Sequence, residues 1–125
     1  MWTLDRSAEM PMWRFEPAPT GVRLAFSTRR GGVSDGPYRS LNLGRSTDDR
    51  PEAVEENRRR WLDSLDLDPA RFANAGQVHG RTVVHVREAG LQPSCDVLVT
   101  TTTGLSLAIT GADCLPILFT AIGAV

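Results

Sequence analysis

The sequence contains no lysine: all fourteen basic residues are arginines. This absence excludes a Walker-type phosphate-binding lysine, a Schiff-base lysine and a serine–lysine dyad in this chain. Any cation that serves catalysis here must therefore be an arginine, a histidine or a metal ion.

The net charge is also small, and cysteines are few. A formal net charge of −1 gives no electrostatic indication of a nucleic acid or a membrane as partner. Cys95 and Cys114 do not suggest a disulfide framework, and the N-terminal residues lack the uninterrupted apolar run of a signal peptide. We therefore expect a reduced, cytoplasmic protein, and 125 residues suffice for one domain with a real core.

The apolar stretch at residues 105–125 raises the alternative of a membrane span, since its length suffices to cross a bilayer. Asp113 lies near its centre, where insertion would cost ~2.5–3.5 kcal/mol. Pro116 follows, and no cluster of basic residues flanks the segment. We favour buried strands of a soluble fold instead.

Hydrophobic periodicity predicts one helix, over 48–67. Asp49 can cap it, Glu52 follows three residues later, and Pro51 occupies the first turn, where its missing N–H costs nothing. The apolar face is predicted to consist of four residues: Val54, Arg58 through its aliphatic stem, Trp61 and Leu65.

Much of the remaining chain is predicted to form sheet. Residues 1–20, with three prolines, are expected to form an irregular arm. Residues 22–27 alternate as a half-buried strand and lead into a glycine-rich loop. Four further strands are predicted at 77–86, 96–104, 105–110 and 114–119. One helix cannot cover so much sheet, so a second chain or a missing half should cover it, and self-association is expected.

Three residues could carry chemistry. His79, before Gly80, could present its imidazole to a cleft, although a structural histidine is the alternative. Cys114 stands between an acid and a strand-breaking proline, which suggests a site at a strand end, with a core cysteine as the alternative. Arg29 opens the glycine-rich loop and could hold an anion through its guanidinium fork. His85 is interpreted as structural.

Five stretches, taken in order, resemble the YfiH-like group, variously labelled laccase-domain protein, polyphenol oxidase, peptidoglycan editing factor and purine nucleoside phosphorylase. They are "FSTRRGGVSDGPYRSLNLG", "VEENRRRW", "QVHGRTVVHV", "DVLVT" and "GADCLPILF". The resemblance runs from about residue 22 to the C-terminus. It implies an α/β (α+β) sandwich with mixed β-sheets.

The resemblance also implies a mononuclear zinc or copper site with two histidines and one cysteine as ligands. His79 and Cys114 match two of these ligands. The third would be a histidine in an "HAGWRG"-like motif, which this sequence lacks. We therefore expect 1–125 to be an incomplete single domain, with 21–125 as the N-terminal half of the metal-site domain.

The implied activity is phosphorolysis of purine nucleosides together with hydrolytic deamination of adenosine. In this interpretation Arg29 orients phosphate and Asn42 hydrogen-bonds the substrate, with stabilisation of a turn as the alternative role of Asn42. A multicopper oxidase would need more histidines than the two present. The sequence is also compatible with a cysteine hydrolase that uses Cys114 and His79, with a peptidoglycan-editing role, and with an inactive fragment that lacks its third ligand.

Overall fold

A computed structural model describes residues 1–7 and 9–121. Within these residues the chain forms eight β-strands and one α-helix. They belong to two compact units, each described by itself below. The first unit comprises 1–64 with 117–121, and the second comprises Leu65–Pro116.

The first unit contains an antiparallel sheet of three strands in the order β1-β2-β3. Its strands are β1 (Trp2–Asp5), β2 (Met12–Phe15) and β3 (Ala25–Ser27). The prediction of an irregular arm over 1–20 is therefore wrong. Trp2 lies opposite Phe15 in the register, and the two rings meet edge to face with centroids 5.6 Å apart. Large apolar side chains recur at every second position of both strands, which stabilises the pairing.

The α-helix, α1, spans Pro51–Ser64 and confirms the predicted helix with shorter ends. It begins at Pro51. The N–H of the first helical residue has no acceptor within the helix, so a proline at this position removes no hydrogen bond. The N–H groups of Ala53 and Val54 both donate to the Arg50 carbonyl, at 3.0 and 3.2 Å. Asp49 accepts from the Arg50 N–H at 2.8 Å, which lies before the first helical residue, so the capping hydrogen bond to a helical N–H stays a prediction.

The buried face of α1 differs in part from the predicted one. Val54 is buried as expected, whereas Arg58 and Trp61 are only half-buried. Asn57, a polar residue, is fully buried at 0% exposure. The buried residues of the helix are Ala53, Val54, Asn57 and Leu62. The helix therefore contributes a polar group to the interior, and hydrogen bonds to that group must offset its burial.

The second unit contains two parallel sheets. One has the strand order β6-β4-β8, and the other pairs β5 with β7. The strands are β4 (Phe72–Gly76), β5 (Val83–His85), β6 (Gly90–Pro93), β7 (Val97–Val99) and β8 (Ser106–Ala108). Because β4, β6 and β8 are parallel, the chain leaves all three at the same edge of the sheet.

The predicted strands of this unit are confirmed only in part. The strands expected over 96–104 and 105–110 form as the shorter Val97–Val99 and Ser106–Ala108. The strand expected over 77–86 is reduced to Val83–His85, and β4 precedes it as a strand that was not predicted. No strand forms among the described residues 114–119, where Pro116 lacks the N–H that a ladder requires. Four large apolar side chains there are exposed: Leu115, Ile117, Leu118 and Phe119.

The structure confirms an α/β fold with sheets of both orientations. Among the described residues, no helix combines the length and the apolar character that crossing a bilayer would require. Self-association and the assignment of 21–125 to the N-terminal half of a metal-site domain remain predictions.

Candidate functional site

His79 lies in the loop that leaves β4, three residues beyond the end of that strand. Its backbone has φ +58°, in the left-handed region that residues with a side chain seldom adopt. The side chain is exposed. The predicted position within a continuous strand is therefore wrong, but the imidazole is accessible, as the functional interpretation requires.

The other predicted donor, Cys114, is also exposed and lies six residues beyond the end of β8. The alternative of a core cysteine applies to Cys95 instead. Cys95 has 0% exposure, and its thiol donates to the Gln92 carbonyl at 3.2 Å. The two thiols thus differ sharply in access, and only Cys114 is available to an incoming ligand.

A side chain connects the two donor-bearing segments. Gln77, two residues before His79, donates through Nε2 to the carbonyl of Thr110 at 2.8 Å. Its Oε1 accepts from the Thr110 N–H at 2.8 Å and from the Thr110 hydroxyl at 3.0 Å. Thr110 lies four residues before Cys114. Since β4 and β8 are neighbouring parallel strands, this contact joins the two loops just beyond their carboxyl ends.

The His79 loop has a second anchor in Asp96. The Asp96 carboxylate accepts from the N–H groups of Val78, His79 and Gly80, at 3.2, 2.9 and 2.8 Å. Sequence reasoning identified neither Asp96 nor Gln77. The available signal was weak: Asp96 directly precedes the apolar strand β7, and Gln77 lies two residues before the candidate ligand His79.

Within residues 1–7 and 9–121, no group of three histidine, cysteine or acidic side chains is placed to hold a metal ion. His79 and Cys114 have the nitrogen and sulfur donors that zinc and copper favour, but they are only two. His85 is exposed, and its Nε2 lies 3.5 Å from the Thr101 hydroxyl. The metal site remains a prediction.

In the other unit, Arg29 lies beside a surface hollow of about 450 Å³. The hollow is lined by Arg29, Arg30, Arg39 and Ser40. Arg29 donates from Nε and Nη2 to the Arg39 carbonyl, at 2.9 and 2.7 Å. This pairing uses two of the five N–H donors of the guanidinium and fixes its plane. Three cations around one hollow form an electropositive surface suited to an anion.

Asn42 lies in the same unit, with its side chain committed to the loop. Its Nδ2 donates to the Thr47 hydroxyl at 3.0 Å and to Asp49 at 3.1 Å, and its Oδ1 accepts from the Gly44 N–H at 3.0 Å. Both amide protons are thereby used. These contacts favour the alternative role, stabilisation of a turn.

The glycine-rich loop is held by a buried polar cluster that the sequence did not reveal. Asn57 accepts from the Val33 N–H at 2.7 Å and donates to the Ser34 hydroxyl and the Asn42 carbonyl, at 2.8 and 2.9 Å. Ser34 in turn donates to Asp49 at 2.6 Å. That hydrogen bond, reinforced by those from Asn42 and the Arg50 N–H, holds the pKa of Asp49 below its ordinary value.

The sheets, helix and strand order define an α/β protein with separate parallel and antiparallel sheets. A family model described as multi-copper polyphenol oxidoreductase laccase matches residues 23–124. The chain belongs to this family, whose relatives in sequence and structure are YfiH-like.

Two curated relatives and one solved structure illustrate the similarity. A purine nucleoside phosphorylase from Corynebacterium glutamicum is 43% identical over 107 residues, which are 82% of this chain and 44% of the relative. The purine nucleoside phosphorylase YfiH from Escherichia coli is 42% identical over 111 residues, which are 88% of this chain and 44% of the relative.

The crystal structure of YlmD from Geobacillus stearothermophilus aligns with a TM-score of 0.80 at 31% identity. The alignment covers 91% of this chain and 46% of that one. The chain thus spans less than half the length of these relatives, which agrees with a resemblance confined to the N-terminal half.

Proposed function

We propose that this chain acts in a purine nucleoside phosphorylase that also deaminates adenosine. The observation that carries the proposal is the Gln77–Thr110 contact, which joins the loops bearing His79 and Cys114 at one edge of a parallel sheet. Ligand sites in α/β proteins commonly lie beyond the carboxyl ends of such strands. The relatives named purine nucleoside phosphorylase supply the reaction class.

His79 and Cys114 are proposed as two ligands of a zinc or copper ion. Both are exposed, and imidazole with thiolate is a donor pair that either metal accepts. A catalytic zinc site uses three protein ligands, so a further donor is required beyond these two. A bound ion of this kind would act as a Lewis acid and acidify water.

Phosphate is assigned to the hollow around Arg29. In phosphorolysis of inosine, the bond between C1′ of the ribose and N9 of the base breaks, and a bond from C1′ to a phosphate oxygen forms. The products are hypoxanthine and ribose 1-phosphate. Arg29 is the proposed phosphate-orienting residue, because the Arg39 carbonyl already holds its guanidinium in place. Asn42 is proposed to support the loop.

Two other functions fit this chain less well. A multicopper oxidase, as the family description suggests, requires a larger set of histidines than the two in this sequence. A cysteine hydrolase would use Cys114 as nucleophile and His79 as base. A thiolate that binds a metal ion cannot also serve as the resting nucleophile, so metal dependence separates these mechanisms.

The test is a phosphorolysis assay of the protein as its natural gene encodes it. Inosine and phosphate are the substrates, and the hypoxanthine that forms is measured. A parallel assay follows ammonia release from adenosine. We expect both activities to be lost with chelator and in His79→Ala and Cys114→Ala. His85→Ala is the matched histidine control and should remain active. Turnover that survives chelation would remove the metal from the mechanism, and absence of turnover would refute the proposal.

Arg29 is tested separately through the phosphate dependence of the rate. Loss of charge-assisted hydrogen bonds should raise the KM for phosphate by about tenfold or more in Arg29→Gln. The exposed Arg81, in the other unit, provides the control Arg81→Gln. An unchanged KM for phosphate in Arg29→Gln would refute the assignment of Arg29.

A further inference from the structure

Three consecutive backbone N–H groups around His79 converge on one carboxylate. Oδ1 of Asp96 accepts from Val78 at 3.2 Å and from His79 at 2.9 Å, and Oδ2 accepts from Gly80 at 2.8 Å. Successive N–H groups that point the same way form a concave anion-binding surface. Here the anion is part of the protein, and it lies 17 residues from His79 along the chain.

The backbone on both sides of this carboxylate is itself held in place. The N–H groups of Asp96 and Val97 both donate to the Thr82 carbonyl, at 3.2 and 3.1 Å. The preceding residue, Cys95, is fully buried, and its N–H donates to the Gly76 carbonyl at 3.3 Å. Asp96 therefore projects from a fixed point of the sheet into the loop that carries His79.

The loop needs such support. His79 has φ +58°, a conformation that costs a residue with a side chain free energy. Gly80 allows the close approach, since a Cβ there would lie 3.3 Å from Oδ2 of Asp96. Charge-assisted hydrogen bonds to a carboxylate are stronger than neutral ones and can offset the backbone cost.

We infer that Asp96 is a positioning residue for His79, which fixes the backbone from which the imidazole reaches a metal ion. The inference rests on the proposed function, in which His79 is a ligand. Preorganising a ligand reduces the loss of freedom on metal binding, and removing such supporting contacts typically weakens metal affinity by about 10–100-fold.

The test compares Asp96→Asn with Glu88→Gln, which removes an exposed carboxylate from the same unit. Asparagine keeps the shape of aspartate but turns an N–H₂ group toward at least one N–H of the loop. We measure the Zn²⁺ dissociation constant by chelator competition, urea unfolding of the metal-free protein, and amide exchange of residues 78–80. His79→Ala serves as the reference for complete loss of the ligand.

We expect Asp96→Asn to bind Zn²⁺ about 10–100-fold more weakly, with faster exchange at residues 78–80. Glu88→Gln should match the wild type in both measurements. A variant that only lost stability would show lower urea resistance with an unchanged Zn²⁺ affinity, and this result would overturn the inference. Should Asp96→Asn fail to fold, wild-type exchange decides: unprotected amides at residues 78–80 would overturn the inference.

The outcomes also separate this inference from the proposed function. If His79→Ala abolishes Zn²⁺ binding while Asp96→Asn leaves it unchanged, the metal site stands and the role of Asp96 is refuted. If neither substitution affects Zn²⁺ binding, His79 is not a ligand, and both proposals fail together.

Discussion

Gln77 pairs with Thr110 in the way that two backbone amides pair in a sheet. The Gln77 side chain donates to the Thr110 carbonyl and accepts from the Thr110 N–H, both at 2.8 Å. The Thr110 hydroxyl adds a third hydrogen bond at 3.0 Å. A side chain thus extends the β4–β8 pairing beyond the ends of both strands, toward the two predicted metal ligands.

Replacing this side chain should loosen the connection between the two loops. We expect Gln77→Ala to lower the free energy of unfolding by about 1–2 kcal/mol, because it removes three hydrogen bonds that water partly replaces at this exposed position. Urea unfolding measures the effect. Gln92→Ala is the matched control, since both hydrogen bonds of Gln92 Nε2 are long, at 3.4 Å. Equal effects of the two substitutions would contradict the prediction.

Asn57 should be among the most sensitive positions of the first unit. Asn57→Ala leaves the Val33 N–H, the Ser34 hydroxyl and the Asn42 carbonyl without their buried partner. We expect a loss of about 3 kcal/mol in the free energy of unfolding. Ser46→Ala, at an exposed position of the same unit, should change little. A loss no larger than that of Ser46→Ala would show that the cluster is not structural.

Gly32 is constrained by space. A Cβ at this position would lie 2.1 Å from the Ser40 carbonyl oxygen and 2.6 Å from Oδ1 of Asn57. Because a backbone atom blocks the position, we expect Gly32→Ala to destabilise the protein by about 3 kcal/mol. Gly44→Ala is the control, since its nearest contacts would be 3.4 Å away. Thermal unfolding distinguishes the two variants, and similar melting temperatures would contradict the prediction.

Glu56 should make stability depend on pH in the acid range. Hydrogen bonds from Arg59 and then Arg60 lower the pKa of Glu56 from its ordinary value of 4.5 to about 2. A depressed pKa in the folded state contributes stability above pH 4.5, and this contribution is lost as pH falls toward 2. The stability difference between wild type and Glu56→Gln should therefore shrink over that window.

The urea midpoint between pH 7 and pH 3 measures this difference, at low ionic strength because the pairs are partly exposed. In the Arg59→Gln/Arg60→Gln background the partners of Glu56 are gone, so adding Glu56→Gln should no longer change the pH profile. A pH-independent difference between wild type and Glu56→Gln would refute the assignment.

Local patterns predicted the helix well, because its start depends on adjacent residues. Pro51 and the Arg50 carbonyl define that start within a few positions of the chain. The burial of Asn57 was not predicted, because it depends on hydrogen-bond partners 15 or more residues away along the chain. The hairpin of β1 and β2 was missed because proline content outweighed an alternation that was present in the sequence.

The two proposed donors come from the sequence, whereas the contacts that hold their loops in place could not be predicted from it. His79 and Cys114 could be singled out by residue type and neighbouring breakers, and both prove exposed. The left-handed backbone of His79 and the carboxylate of Asp96 depend on contacts between distant segments. Hydrophobic periodicity cannot predict such contacts, because they form only when strands distant in the sequence pair.

The unequal solvent exposure of the two thiols allows one of them to be labelled selectively. Cys95 is sealed in the interior, whereas Cys114 is open to solvent. Of the two cysteines in this sequence, a maleimide fluorophore should therefore modify Cys114 in the folded chain and reach Cys95 only after unfolding. The wild-type sequence can thus carry a reporter dye next to its candidate centre without any engineered cysteine.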